Sequence, residues 1–209
     1  MITLIELKQT GPDRFLARFD NGEEIRTTTN VVADLSLRTH MVLSDDEYSA
    51  VCNRSSLSLC KQRALRIIGA RAISVKELKD KLKAKGESEE DVEEAAEWLL
   101  EMHLLDDQQY AEMCVRHYAS KGYGLSRIRS ELYRRGIAKD LWDSALMQLP
   151  EQDSLLQRLL AKKLKSADPS REEIRKAADY LYRRGFQRDE IADAMNRFLN
   201  ELENENHGL

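Results

Sequence analysis

The sequence predicts a mainly α-helical protein: tandem three-helix repeats in an elongated, curved array, with a small β-like unit at the N-terminus. Three observations predict it. The 209 residues include only 9 glycines and 3 prolines, and aromatics make up 6%. So few breakers and so little aromatic volume favour long helices over a β-sandwich or one large aromatic core. Amphipathic stripes opened by serine caps recur beyond about residue 46. Gly86, Gly136 and Gly185 lie 50 and 49 residues apart. Each follows a basic residue (Lys85, Arg135, Arg184) and stands four after a leucine (Leu82, Leu132, Leu181). A period near 50 with fixed internal landmarks marks a repeat.

The first element is the exception to the helical pattern. ITLIEL and RFLARF are short runs with apolar and β-branched character, split by QTGPD. Asn21-Gly22 is a strong hairpin dipeptide, and EEIRTTT follows as a third strand. The short segment Val31–Leu35 is expected to close this meander. So small a sheet buries little alone, so it should pack on something else. VLSDDEYSAV then reads as a strand end and a helix start, with Ser44 as cap and Glu47 three residues on.

The three repeats follow. Ser74 caps VKELKDKLKAK, with Glu77 completing a capping box, Leu78 and Leu82 on one face and Gly86 as the stop. Ser88 opens the next helix, whose Val92, Ala95, Leu99 and Met102 form an amphipathic stripe. Apolar Val92, Leu141 and Ile191 start the third helix of each repeat, and a first helix precedes each pair around 54–70, 107–120 and 153–166. The expected divisions are 1–45 for the meander, then repeats at 46–104, 105–150 and 151–209, the last with the C-terminal tail.

The formal charge of −4 hides an alternation. Residues 61–85 carry nine Lys or Arg against Glu77 and Asp80, whereas residues 87–112 carry eleven acids and no Lys or Arg. Residues 115–135 and 158–188 are basic again. Such blocks produce either complementary pairing between neighbouring helices or patches that attract a polyanion.

LYRRGI at 132–137 returns as LYRRGF at 181–186. Arginine near the last carbonyls and glycine at a left-handed position suit any helix end. Arg127 and Arg134 fall within roughly 20° of each other on a helix, on the side away from Ile128 and Leu132. Lys176 and Arg183 are their equivalents in the third repeat, and Glu77 and Ala84 in the first. A solvated face and a binding face both satisfy this pattern.

These residues resemble the RecX family, bacterial regulators of the RecA recombinase. ALRIIGARAISVKELKDKLKAKG is similar to the first RecX repeat. LLDDQQYAEMCVRHYASKGYGLSRIRSELYRRGI resembles the second, with Tyr110-Ala111 after an acidic turn and a Gly-rich link before the basic helix. YLYRRGFQRDEIADAM is similar to the third, so the resemblance covers about residues 57–199. The resemblance implies docking in the groove of a RecA–single-stranded-DNA filament. Filament growth, ATP hydrolysis, strand exchange and SOS co-protease activity would fall. It implies no cofactor and no catalysis. The implied partners are the RecA filament and DNA, reached directly or through the filament and bound weakly alone, by a monomer. The candidate partner- or DNA-binding residues are Lys121, Arg127, Arg134, Arg135, Lys176, Arg183 and Arg184. The acidic 87–112 stretch would repel phosphates, so it is expected to point away or to meet basic residues of RecA.

Rival chemistries lack their signatures. The four histidines form no HExxH and none pairs with a nearby cysteine as a metal site requires. Cys114 and His117 share a helix, but Cys114 lies on the stripe of Ala111 and Tyr118 and reads as core. Cys52, Cys60 and Cys114, without a CxxC, read as reduced, buried thiols. No GxxxxGKS/T or GxGxxG loop cradles phosphate, and the glutamates of 89–97 lack a calcium-binding loop. Trp98 and Trp142 are expected to pack between repeats, and Tyr133 and Tyr182 to be half-buried beside the leucines. Two alternatives stay open: a helix-turn-helix-like nucleic-acid-binding module and a helical scaffold without a RecA role. Against the first, the third helices SEEDVEEAAEWL and AKDLWDSALMQL are acidic or neutral, unlike a recognition helix. MITLIELKQT lacks the features of a signal peptide and no apolar run approaches a membrane span, so a cytosolic chain without membrane contact is expected.

Overall fold

The computed structural model describes residues 1–149, 151–166 and 168–207. The boundary expected at residue 150 and the last two residues lie outside the described residues. The chain forms two units, Met1–Asp106 and Asp107–Leu209.

The first unit opens with an antiparallel sheet of β1 (Ile2–Gly11), β2 (Arg14–Phe19), β3 (Glu24–Thr27) and β4 (Met41–Leu43), in the order β3-β2-β1-β4. The hairpin at Asn21-Gly22 forms as expected, with Gly22 at φ +86° and the Asn21 side chain accepting from the Glu23 amide at 3.0 Å. The closing strand differs. Val31–Leu35 lies mostly in the short helix α1 (Thr29–Asp34), and Met41–Leu43 pairs with β1 instead. The physical reason is spacing: Val31 and Leu35 are four apart and share a helical face, and a run this short fits either period.

One sheet face buries Leu4, Ala17, Phe19 and Leu43 against Leu37 and Val51. Val51 belongs to α2 (Asp45–Ala70), one continuous helix of 26 residues that begins earlier than the expected 54. The Ser44 capping box starts it, so the cap inferred from sequence is where the helix begins. Its N-terminal half covers the sheet, with Ser55 Oγ 2.8 Å from Thr27 Oγ1. Its C-terminal half contributes Cys60 and Ala64 to the first three-helix core. There α3 (Val75–Lys83) brings Leu78 and Leu82, and α4 (Glu89–Glu101) brings Val92, Ala95 and Leu99. Ser74 and Ser88 cap these helices through the Glu77 and Asp91 amides. Met102, placed on the α4 stripe by periodicity, stands past the helix end and is exposed.

The acidic block pairs with the basic block of its own repeat. Lys61–Glu94, Arg63–Glu87, Lys79–Glu93 and Lys83–Glu89 are ion pairs. Glu87, Glu89, Glu93 and Glu94 therefore have partners within the first unit.

The second unit holds two more three-helix sets. The first has α5 (Asp107–Ser120), α6 (Leu125–Arg134) and a 3-10 turn, Lys139–Leu141, running into the short α7 (Trp142–Leu146). Its core includes Ala111, Cys114, Val115, Ile128, Leu132 and Ala145. The second has α8 (Gln152–Lys163), α9 (Arg171–Arg183) and α10 (Arg188–His207) around Leu156, Leu160, Leu181, Phe186 and Ala194. Each tryptophan packs on the core of its own repeat, Trp98 on the first and Trp142 on the second. Trp142 reaches inward because its indole N–H donates to the Ile137 carbonyl at 3.0 Å. Among the described residues, no helix is long and apolar enough to cross a membrane.

Candidate functional site

The site is built on α6 and α9, the two helices that end in LYRR. Leu132 and Leu181 are fully buried and fix which way each helix faces. The next residue lies about 100° round the helix, and the one after about 200°. Tyr133 is 71% exposed and Tyr182 56% exposed, so both stand further out than the half-burial expected of them. Arg134 and Arg183 are exposed beside them.

The arginines of α6 converge on a residue that the sequence reading passed over. Glu131 is 5% exposed. Its carboxylate accepts from Arg134 Nη2 at 2.6 Å, pairs with Arg127 Nη2 at 3.2 Å, and accepts from the Tyr118 hydroxyl at 3.1 Å. Burial pushes the Glu131 carboxyl up, but the Arg134 and Tyr118 hydrogen bonds and the two nearby guanidinium charges outweigh it and hold it below the usual range. The pair Arg127 and Arg134 is thus a clamp on a buried carboxylate. Two cations share one anion, and both remain about half or more exposed on the solvent side.

Arg135 points elsewhere. Its two Nη atoms donate to the Tyr110 hydroxyl at 2.7 Å and the Tyr118 hydroxyl at 3.1 Å. A chain runs from Arg135 through Tyr118 to Glu131, linking α5 and α6. Burial alone would lower the Arg135 pKa; the Tyr118 hydrogen bond is the leading opposing effect, and the net shift is upward.

Arg184, the equivalent residue of the third repeat, does different work. Its Nη1 donates to the carbonyls of Lys121 and Gly122 in the second repeat. Its guanidinium lies 5.1 Å from the Tyr123 ring centre and 4.8 Å from that of Tyr180. Beside it, the end of α9 meets the start of α6. The Gly124 amide donates to the Arg184 carbonyl at 2.8 Å, and the Ser126 amide to the Gly185 carbonyl at 3.1 Å. Free carbonyls of one helix end satisfy free amides of another, and the two dipoles meet with opposite ends. The approach needs glycine on both sides. A Cβ on Gly124 would lie 2.6 Å from the Gly185 carbonyl oxygen, and one on Gly185 would lie 2.4 Å from the Arg127 nitrogen. Gly185 therefore does more than stop its helix at φ +91°.

The remaining candidates face solvent. Lys121 is exposed. Lys176 pairs with Glu172 at 2.7 Å, one turn away on the surface. Arg183 has no ion pair among the described residues. The sequence reading also passed over Arg129, exposed on α6, and Arg188, which sits 5.4 Å from the centre of the exposed Tyr182 ring. The repeated LYRR places each tyrosine next to arginines in sequence; its exposure is what the structure adds. The face combines cations with aromatic rings, which suits acidic or nucleic-acid partners. Among the described residues, no group of three or more His, Cys, Asp or Glu is placed to hold a metal ion.

Comparison with known proteins finds three matched stretches along the chain. Residues 60–99 match the first three-helix domain of RecX, residues 106–146 the second and residues 151–195 the third. The regulatory protein RecX of Vibrio parahaemolyticus is 34% identical over 139 residues, spanning 65% of this chain and 88% of that protein. That of Caldanaerobacter subterraneus is 31% identical over 156 residues, spanning 74% and 78%. A crystal structure of regulatory protein RecX matches with a TM-score of 0.73 at 21% identity, over 96% of this chain and 100% of that one. The last is a likeness of fold.

Proposed function

The chain belongs to the RecX family of regulatory proteins, and from that premise we propose that it is a negative modulator of the RecA recombinase. It binds the RecA–single-stranded-DNA filament in its groove and limits filament growth, ATP hydrolysis, strand exchange and SOS co-protease activity. It works in the cytoplasm as a monomer, by binding and without catalysis. Its own affinity for DNA is weak, because the chain as a whole carries a formal charge of −4. The observation that carries the reading is the family match along all three repeats. The exposed cation-and-tyrosine face of the second and third repeats supports it.

In this reading the seven basic candidates divide by what they touch. Lys121, Arg127, Arg134, Lys176 and Arg183 make the contacts with the filament. Arg135 and Arg184 are positioning residues, which hold Tyr118 and the α9–α6 junction so that the face keeps its shape. Reversing the charge at Lys121, Lys176 and Arg183 together, which leaves the Arg127–Glu131–Arg134 clamp intact, tests this. Inhibition of RecA is expected to fall at least tenfold while circular dichroism stays unchanged. Undiminished inhibition by the folded variant would remove these residues from the interface.

A further inference from the structure

In the first unit Lys61, Arg63, Lys79 and Lys83 each have an acidic partner across to α4 or its approach. Five other cations line a cleft of about 1100 Å³ between the sheet, the C-terminal half of α2 and the end of α3, beside Arg63 and Arg71, which keep Glu87 and Glu77 as partners. Arg14 and Arg26 enter it from the sheet, Arg66 from α2, and Lys81 and Lys85 from α3 and its end. All five are exposed, and none has an ion pair among the described residues. Glu24 is the one acid among the lining residues, and its carboxylate already accepts from Arg18 Nε at 2.6 Å. Five like charges around one concave surface repel each other, and folding alone does not call for their convergence. An anionic occupant would relieve that repulsion.

We propose that this cleft is a binding site for single-stranded nucleic acid. Its volume of about 1100 Å³ is large for a ligand pocket, and its cations enter from the sheet, α2 and α3, a spread that an extended polyanion can bridge. Three of the five free cations are arginines, whose planar forks match phosphate oxygens. The lining between them is apolar and includes Phe15, Leu59 and Ile67, a surface against which bases can lie. An acidic peptide would use the cations and gain little from that floor. The site lies within the unit that carries the N-terminal sheet, whereas the LYRR residues belong to the second unit, and it does not rest on the recombinase reading.

The test uses the full chain and a fluorescent twenty-residue oligothymidylate, with anisotropy measured across a salt series. Each phosphate contact contributes a slope of about −0.7 in log affinity against log salt. Replacing Arg14, Arg26 and Arg66 by alanine is expected to make that slope shallower by about 2 and to weaken binding at least tenfold at moderate salt. The pair Lys81→Glu and Lys85→Glu, on another element, is expected to weaken binding in the same way and guards against misfolding of the first variant. A photo-crosslinking thymidine in the oligonucleotide should mark residues of β2 or α2. Unchanged affinity and slope in both folded variants would overturn the site, as would crosslinks confined to residues beyond 106. Binding of polyglutamate, lost in the same variants that bind the oligonucleotide normally, would also overturn it and assign the cleft to an acidic protein segment.

Discussion

Gly185→Ala is the substitution with the most to reveal about how the second unit is held together. Two costs add. Alanine at φ +91° enters the left-handed region, at about 1–2 kcal/mol. Its Cβ would also lie 2.4 Å from the Arg127 nitrogen and 2.5 Å from the Arg127 Cβ, inside the 3.0 Å that Cβ atoms keep. Backbone must move, and the hydrogen bonds from Gly124 and Ser126 to the end of α9 lie in the path of that movement. Losing both costs about 2 kcal/mol more, so the expected total is about 3–4 kcal/mol. Gly86→Ala is the internal control. Gly86 holds the same place in the first repeat at φ +84°, but nothing lies within 4 Å of its added Cβ. It should cost only the backbone share, about 1–2 kcal/mol. Each unit carries one tryptophan, Trp98 in the first and Trp142 in the second, so urea unfolding can be followed separately in variants that keep one of them. Equal losses for the two substitutions would refute the claim that Gly185 makes a junction as well as a helix end.

Three further outcomes follow from the polar network and the thiols. Glu131→Gln should cost about 1.5–3 kcal/mol at pH 7, because charge-assisted bonds to Arg134 and Arg127 are lost. The Glu131 carboxyl is held below its ordinary value. The stability it contributes is therefore present above the unfolded pKa of about 4.3 and is lost as pH falls through the lower folded value. The gap between wild type and Glu131→Gln should narrow below about pH 4, and a gap constant from pH 7 down to pH 3 would contradict this. Arg135→Lys should destabilise the second unit by about 1–3 kcal/mol, because an ammonium lacks the fork that reaches the Tyr110 and Tyr118 hydroxyls together; an unchanged urea midpoint for Trp142 would count against it. Burial pushes the Cys60 thiol up to about 12. It should therefore resist alkylation at pH 8 in the native chain and react once urea is added, and rapid native labelling at Cys60 would show that the first core is not closed.

Much of this fold was legible because it rests on local chemistry. Ser44, Ser74 and Ser88 cap helices where a serine three residues before an acid says they should. Leu82, Leu132 and Leu181 are buried, and the glycines four residues on all take positive φ. What was not legible depends on partners distant in sequence. Arg134 and Arg135 are neighbours of one type, yet one grips Glu131 on its own helix and the other reaches Tyr110, 25 residues back. Helical periodicity separates their directions but does not say what waits there. Val31–Leu35 misled for another reason, since five residues fit the period of a strand and of a helix alike. The acidic block was visible as a block; that four of its glutamates pair with the basic block before it required the packing of α4 against α2 and α3.

The most direct test of the central claim is single-stranded-DNA-dependent ATP hydrolysis by RecA, with this protein titrated well below the RecA concentration. The account predicts strong inhibition at such ratios, because a regulator acting on a filament silences many subunits from one binding event. No inhibition, together with salt-sensitive binding to DNA alone, would contradict it and leave a nucleic-acid-binding module in its place.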